Sequence, residues 1–205
     1  MKEYKSGRKL NESIMNGVDK LADAVGSTLG PRGRNVIIKG NNLKPVITKD
    51  GVTVAKFVDF EDPFENLGAQ VVKQASESTN SSAGDGTTTS TVLTRAILAQ
   101  AQTHLSNNIS PIELKRGIDL AVRNIVSDLK EVARPVSTKE EIEQIATISA
   151  NGDTGIGKLI ATAVDEVGKD GAITIQEAKS NDTSLELTEG FRIDSGLLAN
   201  AFVTD

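Results

Sequence analysis

The chain has 205 residues, 38% of them hydrophobic and 25% charged, a composition suited to one or two globular domains. It contains no apolar run of the roughly 18 residues a membrane helix needs, and its first residues, MKEYKSGRKLNES, lack the apolar stretch of a secretion signal. A net charge of −5 with both signs interspersed and only 3% aromatic residues argue against a nucleic-acid surface, and zero cysteines exclude disulfides and thiolate metal sites and suit a reducing cytoplasm.

From Arg8 to Leu29 the apolar residues Leu10, Ile14, Val18, Leu21, Val25 and Leu29 recur every three or four positions, the spacing of one helix face. Gly30 and Pro31 stop this helix in the turn LGPRG, where Arg32 and Arg34 stand near as phosphate partners; a plain glycine cap is the structural alternative. Asn35 to Ile38 and Pro45 to Thr48 read as strands of a hairpin joined by KGNNLK, and a lone hairpin is marginal in water, so it needs something to pair with. Lys49, Asp50 and Gly51 follow as a glycine turn, either a solvated turn or a carboxylate placed to orient a water. From Phe64, the residues Leu67, Val71, Val72 and Ala75 predict another helix that fades in STNSS, where Ser81 and Ser82 suit a flexible approach to a binding turn.

That turn is AGDGTTTST, residues 83 to 91, opening into the amphipathic run VLTRAILAQAQTHL. Unpaired amides and the positive end of a helix dipole at such a start favour an anion. Gly84 and Gly86 allow close approach, and Thr87, Thr88 and Thr89 add hydroxyl donors. Asp85 would repel a phosphate unless a cation such as Mg²⁺ lay between them, so the loop suits a metal nucleotide. The Lys-Ser/Thr pair of a Walker A loop is absent, and an ordinary capped helix after a glycine turn remains the alternative. His104, the one histidine, falls at the end of this helix, where a dipole partner is expected rather than a base.

Ser110, Pro111 and Glu113 fit the start of the next helix, with Ile118, Val122, Ile125, Leu129 and Val132 as its inward face and Pro135 beyond its end. Ser137 and Thr138, with Glu140 or Glu141 at the third position, open a helix burying Ile142, Ile145 and Ile148. Asp153 caps another, with Ile156, Leu159, Ile160, Val164 and Val167 inward and Gly168 past its end. Residues 172–176 and 185–189 then alternate like strands. The fold class is mostly α with small β hairpins or sheets, an α+β chain.

LGPRGRNV, TKDGVTVAK, FENLGAQVVKQAS, AGDGTTTSTVL, LKRGID, TISAN and VGKDGAITIQE occur in this order, and together they closely resemble the group I chaperonins, the GroEL family, from end to end. The resemblance implies an ATP-driven protein-folding machine of stacked heptameric rings, with equatorial ATPase, intermediate hinge and apical client-binding domains. It places the N-terminal half of the equatorial domain at 1–134, the first intermediate segment at 135–189 and the start of a truncated apical domain at 190–205. Pro135 and Gly190 become hinges, and the hairpin from Arg34 to Lys49 a subunit contact. Thr28, Leu29, Gly30 and Pro31 would line the nucleotide site, and the carbonyls of Thr28 and Lys49 would lie near K⁺. Asp85 would hold Mg²⁺; Gly86, Thr87, Thr88 and Thr89 would hold phosphates; and Asp50 would be the catalytic carboxylate beside the γ-phosphate and its water.

Full-length members of the family are more than twice as long. The remaining equatorial half, the returning intermediate segment with its carboxylate, and nearly all of the apical domain that meets unfolded clients and cochaperonin are therefore expected outside these residues. The hairpin tip GNNL also lacks the aromatic often found there. The alternative function is a catalytically silent module that docks into rings or partner segments through exposed apolar faces.

Overall fold

The computed structural model describes residues 4–39, 45–168, 171–176 and 183–188. It divides into two compact units, Met1–Glu131 and Val132–Asp205. Among the described residues the architecture is mostly helical, with one two-stranded sheet.

The first unit begins with α1 (Gly7–Gly26). Its predicted stripe becomes the centre of the core, for Val18, Leu21 and Val25 are fully buried. They meet Val54 and Ala55 of α2 (Gly51–Phe57) and Ala69 and Val72 of α3 (Pro63–Ala83). Helices α1 and α3 cross closely, because Gly17 faces the Glu65 carbonyl and Gly68 faces that of Ile14, at distances that admit no Cβ. The strands β1 (Val36–Ile38) and β2 (Val46–Thr48) pair antiparallel, with Ile37 opposite Ile47. Val36 and Ile38 pack on the core, while Ile37 and Ile47 are exposed.

Three expectations change in this unit. Helix α1 ends at Gly26 rather than Leu29: the Thr28 hydroxyl takes the Val25 carbonyl at 2.8 Å, and Leu29 is exposed. The lysine-aspartate-glycine segment is the start of α2 rather than a turn, since Asp50 caps it. Helix α3 continues through STNSS instead of fading. Thr79 and Ser82 turn their hydroxyls onto their own helix's carbonyls, and Thr79 also meets Ser90 of α4 (Thr87–Ser106) at 2.9 Å, so tertiary pairing overrides weak propensity.

The helix α5 (Pro111–Val132) forms as predicted but buries no residue, and Ile125, Leu129 and Val132 of its expected inward face are exposed. Local pairs such as Lys115 with Asp119 support it. Periodicity defined its apolar face; Ile118 at the start of that face is half-buried and lines a cleft with Ile97 and Ala101 of α4, while no described element buries the rest.

In the second unit, α6 (Lys139–Ser149) starts with a full capping box between Thr138 and Glu141. Asp153 caps α7 (Thr154–Val167), accepting from the amides of Gly155 and Ile156. The two helices pack through small residues: Gly157, Ala161 and Ala163 are buried, and Gly157 lies against the Thr147 hydroxyl. Ile145, Ile148 and Ile156 are exposed, contrary to expectation, because this close approach leaves the larger side chains at the margins. Residues 172–176 and 185–188 form no strand, since no described segment offers them a pairing edge. Residue 189, the Gly190 hinge, residues 190–205 and the hairpin tip at 40–44 lie outside the described residues.

Candidate functional site

Three chain segments meet where α1 ends and where α2 and α4 begin. Past α1 the chain folds into a closed turn. Gly30 adopts φ +72°, the Gly33 amide donates to the Gly30 carbonyl at 2.9 Å, and the Arg34 amide returns to the Ser27 carbonyl at 2.8 Å. Thr28 is buried inside this turn, whereas Leu29, Gly30, Pro31, Arg32 and Arg34 are exposed. Gly33 lies close over the Thr28 carbonyl.

At the second segment the Thr48 hydroxyl accepts from the Asp50 amide at 3.0 Å, and Lys49 between them is half-buried. The Asp50 carboxylate caps α2: one oxygen accepts from Val52 N at 3.4 Å, the other from Thr53 N at 2.8 Å and Thr53 Oγ1 at 2.6 Å. Burial acts to raise its pKa, but the Thr53 hydroxyl, the amides of Thr53 and Val52 and the charge of Lys56 together outweigh it, so the carboxyl lies below its ordinary value. Such a group orients a donor well and is a weak proton acceptor.

The third segment is the start of α4. Gly84 ends α3 in the left-handed conformation, and Gly86, also left-handed at φ +81°, begins α4. Asp85 between them is exposed and accepts from the Gly86 amide at 2.6 Å. No side chain caps α4, and its first intrahelical bond runs from the Ser90 amide to the Gly86 carbonyl. The amides of Thr87, Thr88 and Thr89 are therefore outside the helix's own bonding pattern, which is the arrangement that attracts an anion. Thr87 is buried, Thr88 half-buried and Thr89 exposed, so the hydroxyl row runs from the core to the surface.

What joins the segments is Gly51. A Cβ there would overlap the Thr88 hydroxyl and come within 3.2 Å of Val25 Cγ1. The capped start of α2 thus lies against the uncapped start of α4 and the last turn of α1. Thr28, whose amide donates to Val25, follows one turn later. The candidates Thr28 to Pro31, Lys49, Asp50 and Asp85 to Thr89 fall on the three segments this contact gathers. Sequence reasoning missed Thr53, which holds Asp50, and Thr79 and Ser90, which pin the ends of α3 and α4 together. Thr53 was legible as the third helical residue after an aspartate cap; the Thr79 contact to Ser90 has no local signal.

Among the described residues no three His, Cys, Asp or Glu side chains cluster as a metal site. A divalent cation here would have one protein carboxylate, Asp85, and complete its shell with ligand and water oxygens, which is the way Mg²⁺ is usually held beside phosphates. The donor set of the loop fits that group.

The model of the TCP-1/cpn60 chaperonin family matches residues 21–204. Among solved structures the chain is similar to the chaperonin gp146 from the bacteriophage EL 2 (Pseudomonas aeruginosa), crystallised in the presence of ATP-BeFx. The two are 31% identical with a TM-score of 0.62, over 77% of this chain and 28% of that one. The chain thus spans little more than a quarter of that chaperonin's length, and with a family match over nearly all of its residues it belongs to the TCP-1/cpn60 chaperonin family.

Proposed function

We propose that this chain is part of a group I chaperonin subunit that binds Mg-ATP at the junction of α1, α2 and α4 and uses its hydrolysis in protein folding within a ring. The observation that carries the reading is the uncapped start of α4, with three consecutive amides and three hydroxyls beside Asp85 and packed against Asp50–Gly51. The ATP analogue present with the related phage chaperonin supports a nucleotide as the ligand.

In this reading the amides and hydroxyls of Thr87, Thr88 and Thr89 take phosphate oxygens, and Gly86 lets the backbone approach them. Asp85 holds Mg²⁺, which offsets the phosphate charge. The turn from Thr28 to Pro31 closes the other side, and the carbonyls of Thr28 and Lys49 are the K⁺ donors. Asp50, fixed by Thr53, orients the attacking water; its lowered pKa makes it a poor base, so full turnover calls for a second carboxylate. Unfolded polypeptides are the clients, and seven-membered rings with a cochaperonin are the assembly this class implies.

Equilibrium binding of ATP with and without Mg²⁺ tests the reading. Mg²⁺ should strengthen binding to the unsubstituted chain, and Asp85→Ala should remove that gain. Equal affinity with and without Mg²⁺ in both proteins would refute it.

A further inference from the structure

Arg95 lies two turns into α4, outside the candidate site, and ties α4 to α1. Its Nε donates to Asp19 Oδ1 at 2.9 Å and its Nη1 to Asp23 Oδ1 at 2.5 Å. Carboxylates four residues apart share one face of a helix, so a single planar guanidinium can take both. Nearer the site, a Cβ on Gly26 would lie 3.6 Å from Val92 Cγ2. The contacts run in opposite order along the two helices, Gly26 with Val92 and then Asp23 and Asp19 with Arg95. Helices α1 and α4 are therefore antiparallel here, with the end of α1 at the start of α4.

Both halves of the candidate phosphate site hang on these two ends. At about 1.5 Å per residue, Asp23 is about 5 Å along the helix axis from Gly26, where α1 ends and the turn holding Thr28 begins, and Arg95 is about 10 Å from Thr88. The other contacts here, Gly26 against Val92 and Leu98 on the core cluster, are apolar and non-directional, so they oppose sliding of one helix along the other only weakly. A guanidinium held at two points resists that slide directly.

We infer that Arg95 is a positioning residue, which fixes the register of α1 on α4 and with it the spacing between the turn after α1 and the amides of residues 87–89. The inference rests on the phosphate reading of that site. The three side chains are 40%, 46% and 69% exposed, so the link is solvated and contributes modestly to overall stability.

The test is Mg-ATP affinity of the full 205-residue chain, measured well below its melting transition, for Arg95→Ala, Arg95→Lys, Asp19→Asn with Asp23→Asn, and all three sites changed together. Arg95→Ala and the double asparagine variant should each weaken binding by about fivefold. The combined variant should be no worse than Arg95→Ala, and Arg95→Lys should fall between. A pure charge effect on the anionic ligand gives a different sign, because neutralising two aspartates would then tighten binding; that result overturns the inference. So does unchanged affinity in Arg95→Ala when Asp85→Ala has lost binding, an outcome that leaves the phosphate site standing. No binding by the unsubstituted chain overturns both.

Discussion

Gly51 and Thr88, 37 positions apart, touch so closely that the only side chain position 51 accepts is a hydrogen. This contact sets the start of α2 against the start of α4, and the candidate site depends on it. Replacing Gly51 by Ala drives a methyl group into the Thr88 hydroxyl and toward Val25, and overpacking of this kind costs about 1–3 kcal/mol. Thermal unfolding should show a lowered melting temperature, and Mg-ATP binding should weaken with it. Adding Thr88→Ala removes the worst overlap, leaving the 3.3 Å approach to the Thr88 Cβ, and should restore part of the stability. No loss in Gly51→Ala would show that the helix starts are not in contact.

Asp50 combines a structural and a chemical task, and two substitutions separate them. Asp50→Ala removes the α2 cap and should destabilise by about 1 kcal/mol, whereas Asp50→Asn keeps a capping oxygen and should lose little stability. Any ATP turnover, expected to be slow, should fall in both. Because the folded pKa is lowered, the carboxylate's stabilisation is fully present above the ordinary carboxyl pKa of about 3.9 and is lost as the pH falls through the lower folded value. The stability gap between the unsubstituted chain and Asp50→Ala should therefore be flat near neutrality and shrink below about pH 4. A gap that grew on acidification would contradict the capping role.

Ile125, Leu129 and Val132, which share one face of α5, are all more than half exposed. An apolar stripe of this extent marks an interface or an aggregation site. At low micromolar concentration, sedimentation should show self-association, and a hydrophobic dye should bind. Ile125→Glu with Leu129→Glu should reduce both; a compact monomer that binds no dye would show that α5 is covered in solution.

The helices were legible where their start signals are local. Ser137 and Thr138 with Glu140 or Glu141 marked the start of α6, where the structure uses Thr138 and Glu141, and Asp153 marked the cap of α7. Helix α2 was hidden because GVTVAKF is rich in β-branched residues and follows a strand, so its cap read as a turn. Alternation at 172–176 gave a strand pattern but no partner, and a strand without a pairing edge does not form. The face of α5 was visible in its spacing, while its burial depended on what stands opposite, which spacing does not contain. At the candidate site the residues of each segment were readable one by one through glycine, hydroxyl and carboxylate chemistry. That Gly51 abuts Thr88, and that Arg95 reaches Asp19 and Asp23, are long-range facts without a local signature.

Amide hydrogen exchange with and without Mg-ATP tests the central claim most directly. Phosphate held at the start of α4 should slow exchange at Thr87, Thr88 and Thr89, and at the turn from Thr28 to Gly33, with the effect lost in Asp85→Ala. Saturating Mg-ATP that protects other segments and leaves the amides of residues 87–89 unchanged would place the nucleotide elsewhere and contradict the account.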